Sequence, residues 1–366
     1  MVAVRWFAVV VAGVVVAGSG AVTRDASAAE ETWREVPLPY FWPRFRLNDV
    51  AAASPANVWI GGQQGSLPIF APPLNTVVWT DGNPVVRRWD GSRWREHALN
   101  GYGGSGAIRD VAASGQEAWV TGSAQGAPYV GRFDGTAFQR VTAPAELDDS
   151  VPSVHTGAAG TWLTGGLDGG GTALYRWQGG AFVRQQLPPR VHALADVVAT
   201  GAAEAWTGGT RLVDGVGGVP LALRWRNGAW TEVPLPADLG ARGLSSLAAT
   251  AGGEVWATAG PADSNVRVTA VLRRTGDAWT RVTPPADTDV RPLRLLADGT
   301  GVPVLTAERQ ANYFPTTLFR RTGTGWTRLP DAPAFLAGVT GVPGTSHLWG
   351  VGLRNGEQPV AVTTTP

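Results

Sequence analysis

The chain has no cysteine, no lysine and a single methionine in 366 residues. Without a thiol it can carry no disulfide framework, no Cys-ligated zinc, no iron–sulfur cluster and no lipid-modified cysteine. All 30 basic residues are therefore arginine, against 29 acids, and charged residues make only 16% of the chain. A net charge of +1 with no basic run leaves no footprint for nucleic acid or an anionic membrane surface. The histidines (His97, His155, His192 and His347) are scattered, without His-x-His or His-Glu-x-x-His, so no zinc site is expected. No Gly-x-Ser-x-Gly elbow occurs. Asp168-Gly169-Gly170-Gly171 reads as a hairpin loop, since neither a lysine nor a helix pattern follows it. No cofactor and no metal are expected.

What is abundant is glycine (49), proline (27) and tryptophan (17), with 44% hydrophobic residues. That is enough apolar content for a core, and too much Gly and Pro for long helices. The first 28 residues stand apart. Arg5 precedes an apolar run from Trp6 to Val16, and Ala26-Ser27-Ala28 offers small residues around a cleavage point. The run is shorter than the ~20 residues of a membrane-spanning helix, so a cleaved export signal is expected over an anchor. The division expected is residues 1–28 as a signal peptide and residues 29–366 as one domain, secreted and free of stable membrane insertion.

The remainder is a repeat. One segment runs Asp49-Val50-Ala51-Ala52 to Trp59 and returns as Asp110-Val111-Ala112-Ala113 to Trp119. Further copies end at Trp162, Trp206, Trp256, Val304 and Trp349. A second segment follows the first six copies, as Arg88-Trp89-Asp90-Gly91 to Trp94 and Arg132-Phe133-Asp134-Gly135 to Phe138. Its aromatic recurs at Trp94, Phe138, Phe182, Trp230, Trp279 and Trp326, in steps of 44, 44, 48, 49 and 47. A period of ~40–50 residues with four short strands is that of a β-propeller blade. The Asp-Gly and Asn-Gly pairs (Asp90-Gly91, Asp134-Gly135, Asn227-Gly228) predict type I′ hairpins with positive φ at both positions. The seventh copy stops one strand short, and Trp33-Arg34-Glu35-Val36-Pro37 matches a fourth strand. The expected fold is thus all-β: a seven-bladed propeller of four-stranded antiparallel blades, with the N-terminal strand completing the last blade.

The pattern resembles the secreted repeat propellers common in high-GC bacteria, and is similar to kelch, tectonin and Asp-box propellers. Gly91 to Trp94, Gly135 to Phe138 and Gly179 to Phe182 resemble half of an Asp-box. The resemblance spans roughly residues 33–362 and implies architecture more than activity.

Two groups of residues are left as candidate sites. Three loops fall on the face where first strands begin. They are Tyr40-Phe41-Trp42-Pro43-Arg44, the long segment from Gln63 to Pro84 with Trp79 and Asp81, and Ala307 to Pro315 with Glu308, Arg309 and Tyr313. Aromatics beside arginine and carboxylates suit sugar stacking or protein contact, although loop aromatics also serve to anchor their own loops. The second group lines the axis: Asp49, Asp110 and Asp196, with Arg294 at a matching place in the sixth copy. Carboxylates facing one channel can raise one another's pKa. A repeated Asp more simply accepts backbone N–H groups from the turn before it. The functional expectation is a monomeric, non-catalytic binding module for an extracellular glycan or protein. The alternative is a glycoside hydrolase or lyase on a sialidase-like propeller, relying on Asp81, Glu308 or an axial Asp.

Overall fold

The computed structural model describes residues 31–71, 76–148, 150–237, 239–260, 270–286, 290–309 and 315–365. Among them there are 31 strands and no helix. The chain opens with β1 (Thr32–Glu35) and enters blade 1 through β2 (Arg46–Ser54) and β3 (Asn57–Gln64). A separate hairpin, β4 (Pro68–Ala71) and β5 (Thr76–Trp79), is inserted before β6 (Asn83–Trp89) and β7 (Trp94–Glu96). Blade 2 takes a short added strand, β8 (Leu99–Asn100), and then β9 (Gly106–Ser114), β10 (Glu117–Ala124), β11 (Ala127–Phe133) and β12 (Phe138–Val141). Blade 3 is β13 (Ser153–Gly157), β14 (Gly160–Gly166), β15 (Thr172–Gln178) and β16 (Ala181–Arg184). Blade 4 is β17 (Val191–Gly201), β18 (Glu204–Val213), β19 (Gly217–Arg226) and β20 (Ala229–Glu232). Blade 5 is β21 (Gly243–Ala249), β22 (Val255–Gly260), β23 (Ala270–Thr275) and β24 (Ala278–Val282). Blade 6 is β25 (Val290–Ala297), β26 (Pro303–Arg309), β27 (Thr317–Thr322) and β28 (Gly325–Arg328). Blade 7 has β29 (Phe335–Gly341), β30 (Leu348–Arg354) and β31 (Gln358–Thr365).

Blade 7 is completed by the opposite end of the chain. β1 pairs antiparallel with β31, from Thr32 opposite Thr365 to Glu35 opposite Val362. The protein is therefore a seven-bladed propeller closed by its N-terminal strand. Closure covers an edge of β31 that would otherwise offer unpaired backbone groups.

The core is a ring of seven clusters, each between two neighbouring blades. In six of them one tryptophan does the joining. Trp59 of blade 1 meets Phe133 and Phe138 of blade 2, at ring centroids 4.7 and 5.3 Å. Trp119 meets Trp177 and Phe182, and Trp162 meets Trp225 and Trp230. Trp206 meets Trp279, Trp256 meets Trp326, and Trp349 returns to Trp89 and Trp94. Each such ring removes roughly 150–250 Å² from water. The seventh junction, blade 6 to blade 7, has Val304 in place of a tryptophan, packed in one cluster with Trp33 of β1.

Strand register sorts the arginines of the repeat into two positions. Arg132, Arg176, Arg224, Arg273 and Arg320 stand opposite the anchor position of their own blades. Arg274 and Arg321 are one residue further on, opposite Trp279 and Trp326, where other blades carry an aromatic. Their guanidiniums lie over Trp206 at 4.2 Å and Trp256 at 5.5 Å, so each replaces a ring with a planar cation. The hairpins also divide. Asn227 and Gly228 have φ of 54° and 83°, as type I′ requires. At Asp90-Gly91 and Asp134-Gly135 only the glycine has positive φ, 96° and 105°. There the Asp carboxylate accepts the backbone N–H groups two and three residues on, at 2.8–3.0 Å. The side chain closes an Asx turn instead of taking a left-handed backbone.

Candidate functional site

The axial residues are placed by a bulge in the inner strand. The register of β2 against β3 shifts between Leu47 and Asp49, and equivalent shifts occur in blades 2, 4, 5, 6 and 7. A bulge turns the next side chain out of the ladder, here sideways toward the neighbouring blade. Asp49 Oδ2 accepts the backbone N–H of Val111 in blade 2 at 2.9 Å. Asp110 Oδ2 accepts that of Val154 in blade 3 at 2.8 Å. Ser246 Oγ accepts that of Leu295 in blade 6 at 2.9 Å. The donors are the next blade's inner strand and not the preceding turn expected from sequence. These side chains stitch blade to blade around the axis. In blade 7 the position is Gly338, where an added Cβ would sit 2.9 Å from Asp49 Cα and 3.0 Å from the Val50 nitrogen. The ring closes too tightly there for a side chain.

Asp49, Arg109, Asp110, His155, Asp196 and Arg294 together line the mouth of the channel, a cavity of about 420 Å³. Arg294 donates to Asp196 Oδ1 at 3.2 Å across the axis, from blade 6 to blade 4. Asp196 holds the guanidinium more firmly protonated than usual, helped by Asp49 and Asp110. Desolvation, and then the adjacent Asp49 carboxylate, push Asp110 up to about 7. All four predicted axial residues are thus brought together. His155 and Arg109 complete the mouth. The first stands where the repeat has Ala112, and the second directly precedes Asp110; a residue-by-residue comparison of copies would have singled them out.

The rim residues divide into buried and exposed members. Phe41 is buried, 5.5 Å from Phe45 and 3.8 Å under the Arg87 guanidinium. Arg87 is itself buried and donates to Glu96 at 2.8 Å and to the carbonyl of Tyr40 at 3.0 Å. It ties the 40–44 segment to the outer part of blade 1, a role no sequence motif signalled. Tyr40 and Trp42 flank Phe41 and point out, 73% and 63% exposed, with rings edge-to-face at 6.2 Å. Arg44 takes φ 56° and its carbonyl accepts Ser66 N–H at the base of the inserted hairpin. That hairpin presents Leu67, Ile69, Phe70, Val77 and Val78, all exposed. Trp79 ends β5 opposite Pro68, and Asp81 follows, exposed.

Glu308 and Arg309 lie in strand β26, opposite Arg291 and Val290, and not in a loop as the sequence suggested. Tyr313 lies outside the described residues. Blade 7 stands between β26 and the blade 1 loops. The structure therefore unites Tyr40, Trp42, Arg44 and the 68–79 hairpin, and leaves Glu308 and Arg309 on another blade.

A larger cavity, about 720 Å³, opens between blades 1 and 2 at the opposite face and reaches Trp177 of blade 3. Asn57, Arg88, Gln116, Arg132 and Gln139 are among its lining residues. None of these was singled out as a site from sequence, because Arg88 matches the repeat.

Comparison with known proteins agrees with the geometry. No known protein family and no curated protein matches the chain. Solved structures do. A streptogramin B lyase shares 15% identity at a TM-score of 0.61, covering 92% of this chain and 97% of its own. YCF48 bound to a D1 peptide shares 12% at 0.56, covering 91% and 97%. A chain of a mitotic checkpoint complex shares 12% at 0.56, covering 99% of each. At such identities the likeness shows the propeller fold and nothing narrower.

Proposed function

We propose that this chain is an exported, non-catalytic recognition propeller that binds an extracellular protein or glycan at the blade 1 rim. The observation that carries this reading is the exposed set Tyr40, Trp42, Leu67, Ile69, Phe70 and Val77, each at least half exposed, on one loop and one hairpin. Exposed apolar side chains gathered on one loop and one hairpin mark an interaction site. The free edges of a two-stranded hairpin can also receive an extended segment. The similar fold of a propeller bound to a peptide supports a protein ligand. Export rests on the apolar run and the Ala26-Ser27-Ala28 pattern. The test is a glycan array and a panel of purified extracellular proteins, with Trp42→Ala/Phe70→Ala as the paired variant. One ligand held by the wild type and weakened at least tenfold in the variant is expected. Equal retention by both proteins would overturn the reading.

A second reading is favoured by the Asp49–Asp110 pair. A carboxyl that titrates near 7 suits general acid–base work, and one propeller of similar fold is a lyase. Against it, Asp49 and Asp110 each commit one oxygen to a backbone N–H of the next blade. Turnover of a glycoside or lyase substrate panel that disappears in Asp110→Asn would move the function to the channel mouth.

A further inference from the structure

The repeat supplies its own control for Arg88. In blades 2, 4 and 5 the corresponding arginine meets a glutamate two residues before the anchor tryptophan: Arg132 with Glu117, Arg224 with Glu204 and Arg273 with Glu254. In blade 3 Arg176 donates to the Ala159 carbonyl at 3.0 Å, and in blade 6 Arg320 pairs with Glu31. Blade 1 has Asn57 at the glutamate position. Among the described residues Arg88 has no carboxylate partner, and this is what sets it apart, since its buried Nε lacks an acceptor just as those of Arg273 and Arg320 do. Asn57 is only 7% exposed, gives its Nδ2 to the Gly115 carbonyl at 3.0 Å, and leaves Oδ1 buried with no donor. Arg88 and Asn57 both line the same 720 Å³ cavity, with the unpartnered Nε and Oδ1 beneath its surface. Buried polar groups are seldom left so.

We propose that the cleft between blades 1 and 2 binds a carboxylate that carries a hydrogen-bond donor beside it. Arg88 takes the carboxylate through the two terminal nitrogens of its planar guanidinium, and the exposed Gln116 amide at the wall accepts the neighbouring O–H or N–H. The volume is that of a small-molecule site. Two acids also line it, and neither answers Arg88. Glu117 is 3.0 Å from Arg132, and Asp134 is turned into its own hairpin, accepting Thr136 and Ala137 N–H and the Gln139 amide. Gln116 is exposed at the wall and adds polar capacity. The chemistry is shared by a uronic acid, with its ring hydroxyls, and by a peptide C-terminus, with its own amide. This site stands apart from the blade 1 rim and does not rest on the reading given for it.

Calorimetric titration of the full chain with glucuronate and with N-acetyl-dialanine tests it, against glucuronamide, N-acetyl-dialanine amide and acetate. Saturable binding of at least one acid is expected, with neither amide bound. Asn57→Glu restores the internal pair of the other blades, so it should fold, melt no lower than the wild type, and bind at least tenfold more weakly. Arg88→Gln should lose binding to the same extent, and Trp42→Ala should leave it intact. The proposal is overturned if neither acid saturates the wild type, if both cleft variants bind unchanged, or if acetate binds equally well.

Discussion

At the scale of single residues, the clearest consequence is Asp110. Its carboxyl is raised from the ordinary aspartate value to about 7 by desolvation and by Asp49. A folded pKa above the unfolded one favours the native state below the unfolded value, and that contribution is lost as pH rises through about 7. One proton gives at most about 1.4 kcal/mol per pH unit. Asp110→Asn keeps an oxygen for Val154 N–H and offers an amide to Asp49. Urea denaturation at pH 5 and pH 8 should therefore show the wild type weaker at pH 8 and the variant with a flatter profile. A wild-type profile that rises over this range, unchanged in the variant, would rule out a raised Asp110 carboxyl. The sequence disclosed this residue as one of a repeated set. It did not disclose the donor, because the donor comes from the next blade and depends on a bulge that hydrophobic pattern does not encode.

At the scale of strands, the anchors were legible because glycine turns and tryptophans recur at nearly constant spacing. The paired residues Arg273-Arg274 and Arg320-Arg321 hid the register, since either arginine fits the local pattern and only pairing across β22 or β26 separates them. Arg274 has a 7% exposed side chain over Trp206, and burial, then Arg224, lower its pKa. A cation held there against another cation is a compromise. Arg274→Phe restores the ring found opposite the fourth-strand aromatic in blades 2 and 3, where Phe133 faces Phe138 and Trp177 faces Phe182. We expect it to be neutral or to raise the melting temperature. Trp206→Ala removes a fully buried side chain from the blade 4–5 junction, and should cost about 3–5 kcal/mol. Denaturant midpoints of the two variants check both signs. Equal destabilisation by each would mean that Arg274 is an optimum and not a substitute.

At the scale of the whole molecule, stability depends on one short strand. Seven interblade clusters make a ring in which each blade leans on two neighbours, and β1 contributes to the junction with the weakest anchor. Val304 leaves room there, and Trp33 reaches it from the far end of the chain while donating Nε1–H to the Pro330 carbonyl at 2.8 Å. Glu31 adds an ion pair to Arg320, and Glu35 another to Arg354. The missing strand in the seventh copy and the surplus one at the N-terminus made this closure readable in advance, while the shape of the rim was not, since loop conformation follows no period. Trp33→Ala, a half-buried ring, should cost roughly 2 kcal/mol, less than the full tryptophan range. Deleting Thr32–Glu35 should do more, because it uncovers the whole edge of β31. We expect such a chain to aggregate or to melt without a single cooperative transition. Thr32 and Thr365 face each other in the same ladder, so an Asn-Gly turn can join them as a hairpin. A permuted chain linked there and opened at the exposed Gly169-Gly170 turn should melt as cooperatively as the parent. If the deletion melts like the parent, the ring does not need its closing strand. If the permutant fails to fold while the parent does, the order of synthesis and not the pairing of β1 secures the ring.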